Sequence, residues 1–188
     1  MGIIIELTHH VANQIAAGEV VERPSSVIKE LLENALDARA KTIEIRIKNG
    51  GFDLIVVQDD GVGMDEADLQ LCLKRYATSK LSSVSDLDRL HTFGFRGEAL
   101  PSIAAISRMS ITSRPHHEAI GLKAVVESGL IKEISKAGSA AGTRIEVRDL
   151  FYNVPARLKF ARSKRVETAE IVRLIKAYAF IHNDISWT

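Results

Sequence analysis

Residues 24–63, PSSVIKELLENALDARAKTIEIRIKNGGFDLIVVQDDGVG, change their hydrophobic period halfway along, and that change decides the fold class. In the first part Val27, Ile28, Leu31, Leu32, Ala35 and Leu36 recur at helical spacing, with Lys29, Glu30, Glu33, Asn34 and Asp37 on the other arc. Pro24 stands where a first helical turn tolerates it, so the spacing predicts an amphipathic helix to about Ala38. From Ile43 the period falls to two, with Ile43, Ile45 and Ile47 alternating against Glu44, Arg46 and Lys48. Asn49-Gly50-Gly51 punctuates, and an apolar run over residues 54–57 follows, so a β-hairpin of a half-exposed antiparallel sheet is predicted. Asp59-Asp60-Gly61-Val62-Gly63 ends the second strand.

Upstream, residues 3–7 read as a strand and residues 10–21 as a short helix interrupted at Gly18. Downstream, Asp65 and Asp68 have capping-box-like spacing before Leu69, Cys72, Leu73 and Tyr76, which continue at helical intervals. The polar residues 78–88 read as a long loop of the kind that serves as a lid or stays disordered. Phe93-Gly94-Phe95-Arg96-Gly97 leads into a helix over about 98–106, and strands are predicted near 109–113, 121–127, 130–134 and 143–147. After Asn153-Val154-Pro155 comes a basic run (Arg157, Lys159, Arg162, Lys164, Arg165), then an amphipathic helix over about 167–180. Residues 185–188 look like the start of a strand with no partner sequence after it. Helices first and antiparallel strands later predict an α+β two-layer sandwich, its mixed, largely antiparallel sheet covered by helices on one face.

Composition narrows the class without naming an activity. The 188 residues are 46% hydrophobic and 26% charged with four prolines, which is ordinary for one globular domain and unlike disordered or collagenous chains. A formal net charge of +1 excludes a global electrostatic case for nucleic-acid binding, so any DNA contact has to be local. The single cysteine, Cys72, cannot form an internal disulfide and reads as a buried thiol in a reducing compartment. The N-terminus lacks the pattern of a signal peptide, and no apolar run approaches the ~20 residues of a membrane span, so neither export nor a membrane is expected. The six histidines show no metal-ligand spacing.

Several segments can carry chemistry, and each also has a plain structural reading. Glu30 and Asn34 lie one helical turn apart beside Glu33 and Asp37; the set is either a solvated face or the rim of a site in which Asn34 meets magnesium. Asp59-x-Gly61-x-Gly63 is either an acidic turn or a place where a carboxylate accepts from the exocyclic amine of adenine while bare backbone makes room for the base. Gly94-Phe95-Arg96-Gly97 is neither a Walker A loop nor a dinucleotide fingerprint; it starts a helix and either only turns the chain or offers backbone donors to an anion. Thr78-Ser79-Lys80 adds two hydroxyls and an ammonium suited to phosphate, although loop lysines are commonly just solvated.

Their order along the chain decides between these readings. Glu30-x-x-x-Asn34, Asp59-x-Gly61-x-Gly63, a lid ending in Gly94-Phe95-Arg96-Gly97, and Gly142-Thr143 together resemble the motifs of the GHKL ATPases. The strings IAAGEVVERP, KELLENALDA, DDGVGM, ATSK, FGFRGEALPSI and DLFYNVPARLKF resemble the MutL family of DNA mismatch-repair proteins over essentially the whole chain. The resemblance implies an N-terminal nucleotide-binding domain of Bergerat (GHKL) type over residues 1–184, with 185–188 opening a second domain cut short. It implies ATP and Mg2+ as cofactors, Glu30 as the base that activates water, Asn34 as the magnesium ligand, and Asp59 as the adenine reader beside Gly61, Gly63 and Thr143. Thr78, Ser79, Lys80, Gly94, Phe95, Arg96, Gly97, Glu98, Ala99 and Leu100 become the phosphate-holding lid. It further implies DNA, mismatch-recognition and downstream repair proteins and an ATP-dependent homodimer as partners of the whole protein. A second-domain lysine would reach the phosphate, making hydrolysis weak without it. A cytoplasmic setting follows, or a nuclear one in a eukaryote. The alternatives are a histidine-kinase-like phosphotransfer domain, for which only His9 and His10 precede the ATP helix, and a non-catalytic nucleotide-binding interaction module.

Overall fold

The computed structural model describes residue 5, residues 9–77 and residues 97–188, the side chains of 9–14 excepted. The expected strand at 3–7 and lid residues 78–96 therefore lie outside the described residues, apart from Ile5, which is exposed. Helix α1 (His9–Val20) runs through Gly18 without a break. Helix α2 (Pro24–Asp37) starts with Pro24 in its first turn and stops where Arg39 takes a φ of 61°. Its apolar arc is buried as the sequence predicts: Val27, Ile28, Leu31 and Leu32 are each at most 2% exposed. Burying each contributes roughly 1.5–3 kcal/mol before entropy is counted.

Strand β1 (Thr42–Lys48) pairs antiparallel with β2 (Leu54–Asp59), Ile45 facing Val57 and Lys48 facing Leu54. The turn Asn49–Gly51 joins them. Helix α3 (Glu66–Leu71) is capped by Asp65, whose carboxylate accepts from the Asp68 N–H at 2.9 Å. It ends earlier than the Leu69-Cys72-Tyr76 spacing predicts. Leu69 is buried, but Tyr76 is 76% exposed with a φ of 63°, because the chain here leaves the helix to wall a cavity. Helix α4 (Ala99–Ala105) leads to β3 (Arg108–Arg114), β4 (Gly121–Glu127), β5 (Leu130–Ala137) and β6 (Gly142–Arg148). Helices α5 (Pro155–Phe160) and α6 (Lys164–Ile181) and the short β7 (Ser186–Trp187) complete the order, α5 being a helix that the basic run conceals.

The seven strands form one sheet in the order β5-β4-β3-β6-β2-β1-β7. All neighbours are antiparallel except β1 and β7, which run parallel. The strand at the C-terminal end thus does have a partner: Ser186 N–H donates to Lys41 O at 2.8 Å and Thr188 N–H to Ile43 O at 3.0 Å. Alternation places Ile43, Ile55, Val57, Ile111, Ile145 and Val147 in one core with α2 and α4. Arg46, Gln58, Arg144, Glu146 and Arg148 occupy the other face, where Arg144 and Arg148 pair with Glu146. The result is the expected α+β sandwich. The string at 149–153 ties it together: Phe151 is buried, its N–H donates to Ile106 O at 2.7 Å, and Asn153 Nδ2 donates to Ala105 O at 2.8 Å.

Helix α6 is clamped to the start of α2 by Arg23, whose guanidinium donates through Nε and Nη2 to Glu167 Oε2 at 3.1 and 3.0 Å. Glu167 is only 3% exposed at its side chain, so its charge depends on that partner. Arg23→Ala is expected to destabilise the fold by roughly 3 kcal/mol, while Arg23→Met combined with Glu167→Leu should recover most of the loss. Urea unfolding midpoints check this, and a neutral Arg23→Ala would show that the pair does not hold α6.

Candidate functional site

A cavity of ≈ 1160 Å³ opens beside the polar arc of α2, walled by the ends of β2 and β6, by α3 and by the start of α4. The arc is therefore not a solvated outer face. Lys29, Glu30, Glu33, Asn34 and Asp37 all line the cavity, as do Asp59, Gly63, Gly97, Glu98, Ala99, Leu100 and Thr143. Gly61 stands one step behind that wall, its N–H donating to Asp59 Oδ1 at 2.9 Å. Thr78, Ser79, Lys80, Gly94, Phe95 and Arg96 lie outside the described residues. Asp59 and Thr143, 84 positions apart in sequence, meet here because β2 pairs with β6 in this register.

Asp59 closes β2 on the core face, below Val57, and burial pushes its carboxyl up from 3.8 to about 6, against the backbone N–H groups of Gly61 and Thr143, which hold it down. Two glycines make that packing possible. Gly142 has a φ of 107°, and a β-carbon on it would lie 2.1 Å from Asp59 O; Gly63 has a φ of 73°, with Arg114 O 2.4 Å from where a β-carbon would be. A hydroxyl cluster backs the carboxylate: Ser113 Oγ donates to Gly142 O at 3.1 Å, lies 2.9 Å from Thr143 Oγ1 and accepts from Met64 N–H at 2.8 Å. His116 Nε2 sits 3.0 Å from Gly61 O, and since a carbonyl can only accept, that nitrogen donates. Sequence reasoning missed Ser113 and His116, because nothing in a strand pattern or a lone histidine marks a contact made across the sheet.

At the α2 wall, Glu30 keeps a quarter of its side chain exposed (25%) with Lys29 Nζ at 3.8 Å. Glu33 is buried at 6% and binds Lys29 Nζ at 3.0 Å. Burial works to lower the Lys29 ammonium, but the Glu33 and Glu30 carboxylates outweigh it and hold the group above its ordinary value. Cys72 is half-buried at the rim, where burial and the Asp68 carboxylate push its thiol up to about 12, so it stays an unreactive thiol. Among the described lining residues carboxylates far outnumber the one ammonium, Lys29. Such a cavity admits a polyanion only together with added cations. Arg157, taken from the basic run, faces inward instead of reaching for DNA or solvent: its Nη1 donates to Val21 O and its guanidinium lies 5.7 Å over the Phe151 ring.

Comparison with known proteins places this geometry. A family profile described as "Histidine kinase-, DNA gyrase B-, and HSP90-like ATPase" matches residues 22–147. A DNA mismatch repair protein MutL of Symbiobacterium thermophilum is 49% identical over 181 residues, covering 96% of this chain and 28% of the relative. That of Koribacter versatilis is 49% identical over 187 residues, covering 100% of this chain and 29% of the relative. The chain thus spans less than a third of the length of these relatives. Among solved structures, the Aquifex aeolicus MutL ATPase domain complexed with ADP superposes with a TM-score of 0.74 at 34% identity, over 90% of this chain and 60% of that one.

The Asp59 shift has a measurable sign. The folded chain holds this proton more tightly than the unfolded one, so the stability the group contributes is complete below about 4 and is lost as pH rises through about 6. Raising the carboxyl from 3.8 to about 6 corresponds to roughly 3 kcal/mol. Asp59→Asn removes the titration, so urea unfolding is expected to show the variant gaining roughly that much on the parent between pH 4 and pH 7.5. A difference that does not change with pH would mean that the Asp59 carboxyl is not raised in the folded chain.

Proposed function

We propose that this chain, which belongs to the histidine kinase-, DNA gyrase B- and HSP90-like ATPases and within them to the MutL family of DNA mismatch-repair proteins, binds ATP in the α2 cavity and hydrolyses its γ-phosphate. The observation that carries the reading is Asp59, a partly buried carboxylate beside bare glycine backbone, on the same cavity as Glu30 and Asn34. A carboxylate accepts from the exocyclic amine of adenine, and Thr143 with Gly61 and Gly63 completes that end. Burial without a ligand works against the charge of Asp59, and an amine donor supplied by the base would restore what water no longer gives.

At the α2 end Glu30 takes a proton from water as the water oxygen attacks the γ-phosphorus. The bond to the β,γ-bridging oxygen breaks, and ADP and phosphate leave. Magnesium fits this wall in a particular way. Among the described residues no group of three or more His, Cys, Asp or Glu could cage a metal. Magnesium is commonly held by one or two protein oxygens together with substrate phosphates, which is what Asn34 in an acidic cavity offers. When bound, it neutralises part of the charge spread over the γ-phosphoryl oxygens. We assign Thr78, Ser79, Lys80 and Gly94 to Leu100 to the lid that holds the phosphates, with Lys80 and Arg96 as its cations.

We assign residues 1–184 to the nucleotide-binding domain and propose that the chain passes from it into a second domain after β7, the strand that residues 186–187 add to the same sheet beside β1. For the whole protein we propose a cytoplasmic mismatch-repair role, with nucleotide-driven homodimerisation, DNA contact, and signalling to mismatch-recognition and downstream repair proteins. Among the described residues no helix is long and apolar enough to cross a membrane.

In the intact protein, Glu30→Ala is expected to bind ATP nearly as the parent does while hydrolysis falls by ~10² to 10⁴, the contribution of a positioned general base. Nucleotide titration and phosphate release measure the two separately. Loss of binding in place of turnover would make Glu30 structural.

A further inference from the structure

Helix α6 reaches the cavity wall through one side chain. Tyr178 donates its hydroxyl to Glu33 Oε1 at 2.7 Å, and the same oxygen binds Lys29 Nζ at 3.0 Å. That ammonium lies 3.8 Å from Glu30 Oε1, so a continuous chain of polar contacts runs from α6 to the proposed base. Glu33 is 6% exposed and lines the cavity, so its charge has to be satisfied by these two donors and not by bulk water. The Tyr178 ring is fixed by stacking on His182, 6.2 Å between centroids. Burial, then the Glu33 and Glu30 carboxylates, push the phenol well above its ordinary value, so it remains a donor.

We propose that Tyr178 is a positioning residue for hydrolysis: its hydroxyl pins Glu33, so that Lys29 stays shared between Glu33 and Glu30 and Glu30 keeps its aim into the cavity. The inference rests on Glu30 being the base. Without the hydroxyl, Glu33 has two ways to recover a donor, and both disturb Glu30. It can draw Lys29 wholly to itself, or it can turn into the cavity and set a second carboxylate beside the anionic phosphates, where like charges repel. Either displaces the water-activating oxygen, while Asp59 and the adenine end are untouched. Because Tyr178 belongs to α6, the helix that Arg23 also clamps to α2, the base is set by the seating of a helix none of whose own residues lines the cavity.

The test is Tyr178→Phe in the intact protein, which keeps the ring and removes one oxygen. The expected result is a kcat lower by about tenfold, a fraction of the ~10² that a 1 Å misplacement costs, with KM and nucleotide affinity within about twofold of the parent. In a Glu33→Gln background, itself slowed, adding Tyr178→Phe is expected to change kcat by less than about twofold, since the pathway is already broken. A purely structural tyrosine would lower the unfolding midpoint and leave kcat alone, and that result overturns the proposal. So does a full additional loss in the Glu33→Gln background. Undiminished hydrolysis by Glu30→Ala would remove the base and this proposal with it; that failure is told apart because in the others Glu30→Ala stays inactive.

Discussion

Asp59 carries a carboxylate into the wall of a half-open cavity, and two strands far apart in sequence have to meet in one register for that to be tolerated. With Asp59 facing Thr143, the Thr143 N–H reaches the carboxylate from one side and the Gly61 N–H from the other. A slip of one residue would turn Asp59 to the opposite face and bring Gln58 into the core. Gly142 and Gly63 are set by the same need, since a β-carbon at either would strike the backbone that the close approach brings near. The apolar residues that follow along these strands, Val57 with Ile145 and Ile55 with Val147, lock that register by packing under α2. A partly desolvated acid is thus held in place by a core that is ordinary in every other respect.

The second wall works by opposite means. Where Asp59 is held by backbone donors, Glu33 is held by side chains, Lys29 from its own helix and Tyr178 from α6. Backbone donors fixed in a sheet cannot move without unpairing strands, whereas a tyrosine on a separate helix moves when that helix does. In the proposed reading, base recognition is built on the sheet, and the hydrolytic end on a contact between two helices. α6 is held at its start by the Arg23 clamp and near its end by the Tyr178 hydroxyl, while Phe180 and Ile181 on its outer face are exposed.

Most elements, though not α5, and the α2, Asp59 and Thr143 parts of the cavity wall were legible in the sequence, for a physical reason in each case. Ile43, Ile45 and Ile47 alternate because one sheet face is wet, and Val27 to Leu36 repeat at helical spacing because one helix face is dry. The glycines at 61 and 63 are visible as departures from both patterns. The strand order was not legible, because placing β6 between β2 and β3 is a non-local pairing that no period records. Glu33 looked like one more solvated carboxylate, since the helix that buries it begins 131 positions later at Lys164, counting from Glu33. Arg157 counted as part of a basic run, yet Val21 O and the Phe151 ring claim it. Tyr76 kept helical spacing while the chain had already turned. In each miss a tertiary contact overrode a local pattern that had two readings.

In the proposed reading the partly buried Asp59 carboxylate recognises the base through its amine. Titration calorimetry of the intact protein with ATP and with GTP, each with magnesium, tests it most directly, because guanine presents a carbonyl oxygen where adenine presents the amine. Opposing two acceptors across a buried contact leaves both unpaired, so ATP is predicted to bind at least about tenfold more tightly than GTP. Equal affinities for the two nucleotides would contradict the account.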